Sequence, residues 1–331
     1  MIYCIYCESD TRVVQSAQSN INTILSEHYN ARLIPINGDA KSTKNCKLVR
    51  SALKDVRKGD IVLIQYPFWH GTAIFSELLE TVKSVNNAKV AIFIHDVVNM
   101  LDGHTELLGY EVYQFKNADI LIMPSKKLYE RMCGYYDLTK HNIRTIYYDM
   151  FDCPFDANVE FHSSTQFRKR ILYTGDMDRM EDGLKSLDKI DVNIYGCAID
   201  EKYLTDKIHW KGSFEYNDIA LELHNSGGFG LIWTNHAAFE RYYLYNAPYE
   251  LTTYIIAEIP LICKKGSAYG KYVEDNGIGI CVNSLTDAQN IILNMQKSEY
   301  ENMLRNIRVV KDMLLCGYNT RKALNEMLDI L

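Results

Sequence analysis

Short runs of apolar residues alternate, in the first half of the chain, with longer stretches in which apolar residues recur at helical spacing. We interpret the short runs as buried strands, and they are MIYCIYC at 1–7, ARLIPI at 31–36, IVLIQYP at 61–67, KVAIFIH at 89–95, ADILIMP at 118–124 and NIRTIYY at 142–148. The stretches between them, such as 13–28 and 72–85, predict helices. Strands that alternate with helices predict a parallel sheet with helices on both faces.

A polar, irregular segment at 149–166 interrupts this pattern, which then begins again. The strand-like runs of the second half are KRILYTG at 169–175, DVNIYG at 191–196, KIHWKG at 207–212, GGFGLIW at 227–233, IPLIC at 259–263 and GIGICV at 277–282. From about residue 286 the pattern is helical to the end. Two α/β repeats of similar size predict two Rossmann-like domains.

Composition limits which partners the protein can bind and indicates the cellular compartment in which it works. The chain has 331 residues, of which 47% are hydrophobic and 24% charged, and its net charge is −6. This balance argues against a nucleic-acid partner, because phosphate contacts need clustered Lys and Arg. The nine cysteines follow no regular spacing and no apolar run approaches ~18 residues, so we expect a cytoplasmic protein without a membrane span. Peripheral contact with a membrane surface and a homo-oligomer both stay open.

His95 and Asp96 stand together at the end of the strand-like run 89–95. Ligands of parallel α/β sheets bind beyond the carboxyl ends of the strands, so this pair is a candidate for chemistry. The alternative is structural, with Asp96 capping the helix that follows.

Fingerprints of several enzyme classes are absent. The first strand is not followed by G-x-G-x-x-G, and the chain contains no P-loop, H-E-x-x-H or EF-hand pattern. We therefore expect no nicotinamide cofactor and no dedicated metal site. What remains are glycines at strand ends, such as Gly175 and Gly212, which let a backbone approach a phosphate, with Arg179 close behind the first of them.

Seven segments, in this order and spacing, resemble one family of bacterial glycosyltransferases. The segments are Gln15-Ser16, QYPFW at 65–69, FIHDVV at 93–98, PSKKLYERM at 124–132, SGGFGLIW at 226–233, YELTTYIIAEIPLI at 249–262 and GYNTRKAL at 317–324. The family includes β-1,6-galactofuranosyltransferases and the glucosyltransferase that adds the second sugar to serine-rich-repeat adhesins. The resemblance implies the GT-B fold, in which two Rossmann-like domains with parallel sheets face a central cleft. Its last helix returns to the first domain, so we expect domains at 1–150 with 317–331 and at 151–316.

The resemblance implies a UDP-sugar donor held by the second domain. Arg179 matches the family's diphosphate-binding arginine, with Gly175 beside it, and Phe214 matches an aromatic near the uracil. Tyr249 and Glu250 stand where the family usually has an aromatic or His followed by a Lys that binds the diphosphate.

The replacement of this Lys by Glu250 matters, because a carboxylate repels a diphosphate by about 4 kcal/mol per charge pair at ~4 Å. Three interpretations stay open. Glu250 turns away while Lys264 or Lys265 takes over, the donor differs, or the chain has lost transfer activity and acts as a binding partner in a complex.

The resemblance also suggests inversion at the anomeric carbon, without a metal or other cofactor. Inversion needs one base, for which Asp96 is the first candidate and His95 the second. A saccharide acceptor, on a protein or a lipid carrier, is expected in the first domain near Ser16, Tyr66 and Trp69. The two aromatic side chains could instead belong to the core.

Overall fold

The computed structural model describes residues 1–7, 12–36, 44–68, 72–101, 103–154, 161, 165–175, 177–180, 183–197 and 200–331. Contacts divide the chain into two compact units, Met1–Pro154 with Gly317–Leu331, and Phe155–Cys316. The predicted division placed the first boundary after residue 150.

The first unit contains a six-stranded parallel sheet in the order β2-β1-β3-β4-β5-β6. Its strands are β1 (Ile2–Tyr6), β2 (Arg32–Pro35), β3 (Ile61–Tyr66), β4 (Lys89–Ile94), β5 (Ile120–Met123) and β6 (Arg144–Tyr147). The helices between them are α1 (Arg12–Tyr29), α2 (Lys44–Ala52), α3 (Thr72–Glu80, continued by a π-helix Thr81–Asn86), α4 (Val98–Leu101), α5 (Thr105–Gln114) and α6 (Lys126–Cys133).

The second unit repeats this architecture, with the strand order β12-β11-β10-β7-β8-β9. Its strands are β7 (Arg170–Thr174), β8 (Asp191–Tyr195), β9 (Ile208–Gly212), β10 (Phe229–Ile232), β11 (Leu261–Lys264) and β12 (Gly279–Val282). Its helices are α7 (Tyr216–Ser226), α8 (Ala237–Tyr242), α9 (Glu250–Ile256), α10 (Gly270–Asp275), α11 (Leu285–Asn294) and α12 (Lys297–Leu315). Helix α13 (Tyr318–Ile330) then ends the chain and belongs to the first unit.

Two parallel sheets confirm the predicted α/β class. The cores follow the apolar runs, since all four residues of β5 and the last five of β4 are buried. Strands covered on both faces need such continuous apolar runs.

The helical region predicted after residue 286 consists of three helices, α11, α12 and α13. It breaks before α12, where Gln296 and Glu299 form a capping box, and again at Gly317. Gly317 has φ +69°, and a Cβ there would lie 2.8 Å from Cδ1 of Ile24 on α1. The left-handed turn and the close approach to α1 both favour glycine here.

Asp152 fastens the start of α13 within the first unit. Its carboxylate accepts hydrogen bonds from Asn319 N (3.2 Å), Asn319 Nδ2 (3.1 Å) and Thr320 N (2.5 Å). Asp152 lies in the segment predicted as a connector, yet it is only 3% exposed, so the first unit extends past residue 150. Burial raises the pKa of Asp152 to about 6, although these donors oppose the shift.

We expect Asp152→Asn to change how stability depends on pH. The native pKa of about 6 lies above the ordinary value of 3.8, so between these values the native state keeps a proton that the unfolded state releases. Stability therefore falls as pH rises from 4 to 6, by about 3 kcal/mol for this group. The free energy of unfolding by urea, measured across that range, should fall less steeply in the variant. Equal slopes in both proteins would contradict the assignment.

Candidate functional site

His95 follows β4 directly and is held by the neighbouring strand β3. Its backbone N–H donates to Tyr66 O at 2.9 Å, and its Nε2 lies 3.0 Å from Gln65 Oε1. The imidazole is 3% exposed and stacks on Phe151, with ring centroids 5.6 Å apart and planes inclined by 8°. Because Gln65 Nε2 donates to Asn22 Oδ1 at 2.8 Å, Gln65 turns its Oε1 to the ring, and His95 Nε2 is the donor.

This environment keeps His95 neutral. Burial lowers the pKa of His95 to about 3. A group that binds its proton so weakly is a poor base at neutral pH, so the geometry favours a positioning role over the base role that the sequence offered as its second choice.

Asp96 is the more accessible member of the pair, since it is half-buried. Its negative charge contributes to the raised pKa of Tyr148, behind the effect of burial. The hydroxyl of Tyr148 donates to Ile94 O at 3.1 Å, which ties β6 to the end of β4. A carboxylate at this strand end can accept a proton from a bound hydroxyl group.

Glu111, a residue that sequence reasoning missed, caps the helix after Asp96. Its carboxylate accepts from Val98 N (2.7 Å) and Asn99 N (2.9 Å), the first amides of α4. Glu111 is fully buried and lies on α5, so no local pattern marked it. Glu111 thus satisfies the first two amides of α4 from a distant helix.

The three candidate acceptor residues have different surroundings. Tyr66 is 5% exposed, its hydroxyl donates to Glu111 Oε1 at 2.7 Å, and its ring packs on Phe75 and Phe115. This is the surrounding of a core aromatic and does not favour stacking on a sugar. Ser16 is half-buried on α1, and Trp69 lies outside the described residues.

In the second unit, glycines end three neighbouring strands. Gly175, Gly196 and Gly212 stand at or next to the carboxyl ends of β7, β8 and β9. Gly196 N donates to Gly212 O at 2.9 Å, and a Cβ on Gly196 would lie 2.9 Å from Gly175 O. Three neighbouring strands thus end in glycine, which adds no side chain of its own to this edge. Phe214 follows this edge, half-buried, with its ring 5.9 Å from that of Tyr195.

Tyr254 on α9 holds the end of β7 in place. Its hydroxyl accepts from Thr174 N at 2.8 Å and donates to Leu172 O at 2.9 Å. The ring lies on Gly230 of β10, where a Cβ would come within 2.4 Å of it. The Tyr254 ring thus fills the space that a side chain at position 230 would need, which explains the glycine at this position of the SGGFGLIW segment.

Arg179 lies in a short 3₁₀ turn after β7. Its carbonyl oxygen accepts from Asn235 N (2.9 Å) and His236 N (3.1 Å), which lead into α8. Its guanidinium carbon stands 4.2 Å from the centre of the Phe239 ring on α8. The candidate diphosphate-binding arginine is thus fixed at both its backbone and its side chain.

Glu250 begins α9 beside this arginine, and the preceding Tyr249 is buried. Burial raises the pKa of Glu250, while its own backbone N–H and the positive charge of Arg179 oppose the shift. The carboxylate of Glu250 therefore lies within electrostatic reach of Arg179.

Lys264 ends β11, next to β10. Its ammonium forms an ion pair with Glu240 of α8 and stands 5.4 Å from the centre of the Trp233 ring. Two of the three cations considered for a diphosphate, Lys264 and Arg179, thus lie against α8.

Two further features concern only the described part of the chain. No group of three or more His, Cys, Asp and Glu side chains there is placed to hold a metal ion. No helix in the same part is long and apolar enough to cross a membrane.

Solved structures with the same architecture are glycosyltransferases of the GT-B fold. Anabaena Alr3699/HepE, solved in complex with UDP and glucose, superposes with a TM-score of 0.65 at 12% identity, covering 99% of this chain and 100% of that one. A trehalose-6-phosphate synthase, described as transferring with retention, gives 0.63 at 11% identity and covers 99% of both chains. These likenesses show that the chain has the GT-B fold.

The chain belongs to the glucosyltransferase 3-like family. The family's N-terminal domain matches residues 1–136 and its C-terminal domain matches residues 171–327. Glucosyltransferase 3 of Streptococcus parasanguinis is 28% identical over 272 residues, which are 82% of this chain and 79% of that protein. The β-1,6-galactofuranosyltransferase WbbI of Escherichia coli K12 is 24% identical over 282 residues, with the same coverage of 82% and 79%.

We expect the His95 ring to show no titration step between pH 5 and 8, because burial holds its pKa near 3. Long-range ¹H–¹⁵N NMR of the imidazoles should show a neutral ring protonated at Nε2 throughout. Loss of this signal in His95→Gln identifies it. A step near pH 6 to 7 would contradict the buried, neutral assignment.

Proposed function

We propose that this enzyme transfers a hexose from a UDP-sugar to a hydroxyl group of a saccharide acceptor. The observation that carries the proposal is Arg179, fixed beside the glycine-lined carboxyl edge of the second sheet. Support also comes from the relatives, which are named as a glucosyltransferase and a galactofuranosyltransferase, and from the HepE complex with UDP and glucose. The acceptor in this proposal is a cell-surface glycan or a glycoprotein.

Each donor contact follows from the chemistry of a residue at that edge. The backbone at Gly175 lets the diphosphate approach, and the guanidinium of Arg179 offers it paired N–H donors. In this proposal the half-buried ring of Phe214 stacks on the uracil. The positive charge of Arg179 offsets part of the effect of burial that raises the pKa of Glu250, so Glu250 does not by itself exclude a diphosphate.

The proposed reaction is a single displacement. Asp96 accepts the proton of the acceptor hydroxyl as its oxygen attacks the anomeric carbon, and the bond to UDP breaks with inversion. Arg179 stabilises the charge that develops on the leaving diphosphate, without a metal ion. His95, held by Gln65, positions the strand end that carries Asp96.

A second candidate function is that of a partner without transfer activity. Two observations favour it. Glu250 replaces the family's Lys, and the Lys264 ammonium already forms an ion pair with Glu240. The two functions differ in whether the chain binds UDP.

Calorimetric titration with UDP should show micromolar binding that survives EDTA. Arg179→Ala should weaken it at least tenfold, because a charge-assisted contact to phosphate is lost. Arg305→Ala, on the exposed surface of α12, is the matched control and should bind as the wild type does. Absence of binding in the wild type, with binding restored in Glu250→Lys, would overturn the enzyme proposal and favour the partner.

Asp96→Asn should lower kcat by about 10²- to 10⁴-fold, because the base is lost. The Kd for UDP should not change, since the donor contacts lie in the second unit. Unchanged turnover would exclude Asp96 as the base. Proton NMR of the product, formed with the active wild type from an α-linked donor, should show a β-anomer, and an α-anomer would contradict inversion.

A further inference from the structure

Helix α8 holds both cations of the candidate donor site, but it holds them in different ways. Phe239 offers its ring face to the Arg179 guanidinium, at 4.2 Å from ring centre to Cζ. The next residue, Glu240, offers a carboxylate to the Lys264 ammonium. One turn of helix thus supplies a neutral partner to one cation and a charged partner to the other.

The two contacts have different consequences for a phosphate. A guanidinium that stacks on a ring keeps its N–H donors in the plane of the group, so they stay available to an anion. An ammonium paired with a carboxylate has its charge compensated, and a diphosphate must compete for it. Arg179 thus keeps its N–H donors available even with Glu250 within reach of its charge, whereas Lys264 first has to be released from Glu240.

Release of Lys264 is inexpensive in free energy. The side chains of Lys264 and Glu240 are 33% and 41% exposed, so water screens the pair. Exposed ion pairs of this kind contribute little to stability, less than a charge-assisted contact to a phosphate contributes. Lys264 also stays near its place without Glu240, because it ends β11 and lies over Trp233.

We propose that Glu240 is an internal counter-ion of Lys264, and that the diphosphate of the donor displaces it. This rests on the proposed function, since it assigns a second cation to the same donor site. It also explains how the site tolerates Glu250, because Lys264 supplies the positive charge that the family's Lys supplies elsewhere. Glu240 is a positioning residue that sets donor affinity through Lys264 and does not itself touch the reacting atoms.

The test is a double-mutant cycle read as the Kd for UDP. Glu240→Gln frees Lys264 with little change in shape, and we expect it to tighten UDP binding about two- to fivefold. The gain should vanish when Lys264→Met is added, because no ammonium is left to release. It should also shrink at 0.5 M NaCl, as an electrostatic effect does and a merely structural one does not.

Glu301→Gln is the matched control. It removes one negative charge and an exposed Lys–Glu pair in the same unit, since Glu301 pairs with Lys297 at 3.4 Å on α12. We expect its Kd for UDP to equal that of the wild type. A gain as large as that of Glu240→Gln would mean that net charge alone is responsible, and would overturn the proposal.

The remaining outcomes separate the proposal from the function on which it rests. If the wild type binds UDP and Glu240→Gln binds equally or more weakly, the counter-ion role is wrong and the donor site stands. The same conclusion follows if the gain persists in the Glu240→Gln, Lys264→Met double variant. If none of the proteins binds UDP, the proposed function fails and this inference fails with it.

Discussion

Parallel strands covered by helices on both faces cannot carry unpaired polar side chains along their length, and this constraint decides where chemistry can lie in this protein. Gln65 of β3 and Asn193 of β8 are polar and buried within strands, and both have partners. Gln65 bonds to His95 and Asn22, and Asn193 Nδ2 donates to Ser226 Oγ at 3.2 Å. The candidate residues His95, Gly175 and Lys264 accordingly all stand at carboxyl ends, where the sheet hydrogen bonds stop.

Buried carboxylates organise the first unit around its strand ends. Glu111 joins the start of α4 to the hydroxyl of Tyr66, and Asp152 joins the connector to the start of α13. Each satisfies amide groups at a helix start that have no partner within the helix. Because these caps come from distant segments, they join separate parts of the unit, and the last helix is fixed to the unit that carries Asp96.

In the second unit three strands end in glycine, and side chains from other segments hold the candidate cations. Tyr254 sets the end of β7, and α8 then receives Arg179 and Lys264 on adjacent residues. The site thus has one cation stacked on a ring and one cation paired with an acid. In the proposed exchange, the Lys264 ammonium leaves the Glu240 carboxylate and pairs with the diphosphate. This needs a change of side-chain partner and no change of fold.

The sequence by itself determined the two α/β units, the order of their strands and helices, and the strand ends at His95 and Gly175. These follow from local periodicity and from glycines, which the chain displays residue by residue. The resemblance assigned Arg179 to the diphosphate and showed that Glu250 stands where the family usually has Lys. The sequence could not show that Glu111 caps α4, that Gln65 orients His95, or that Glu240 forms an ion pair with Lys264. These pairs are separated by 12 or 13, 30 and 24 residues, and only the packing of whole elements decides which distant side chains meet. The interpretation of Tyr66 as an acceptor residue lost support for the same reason, because an aromatic at a strand end is exposed or buried according to the helix that covers it.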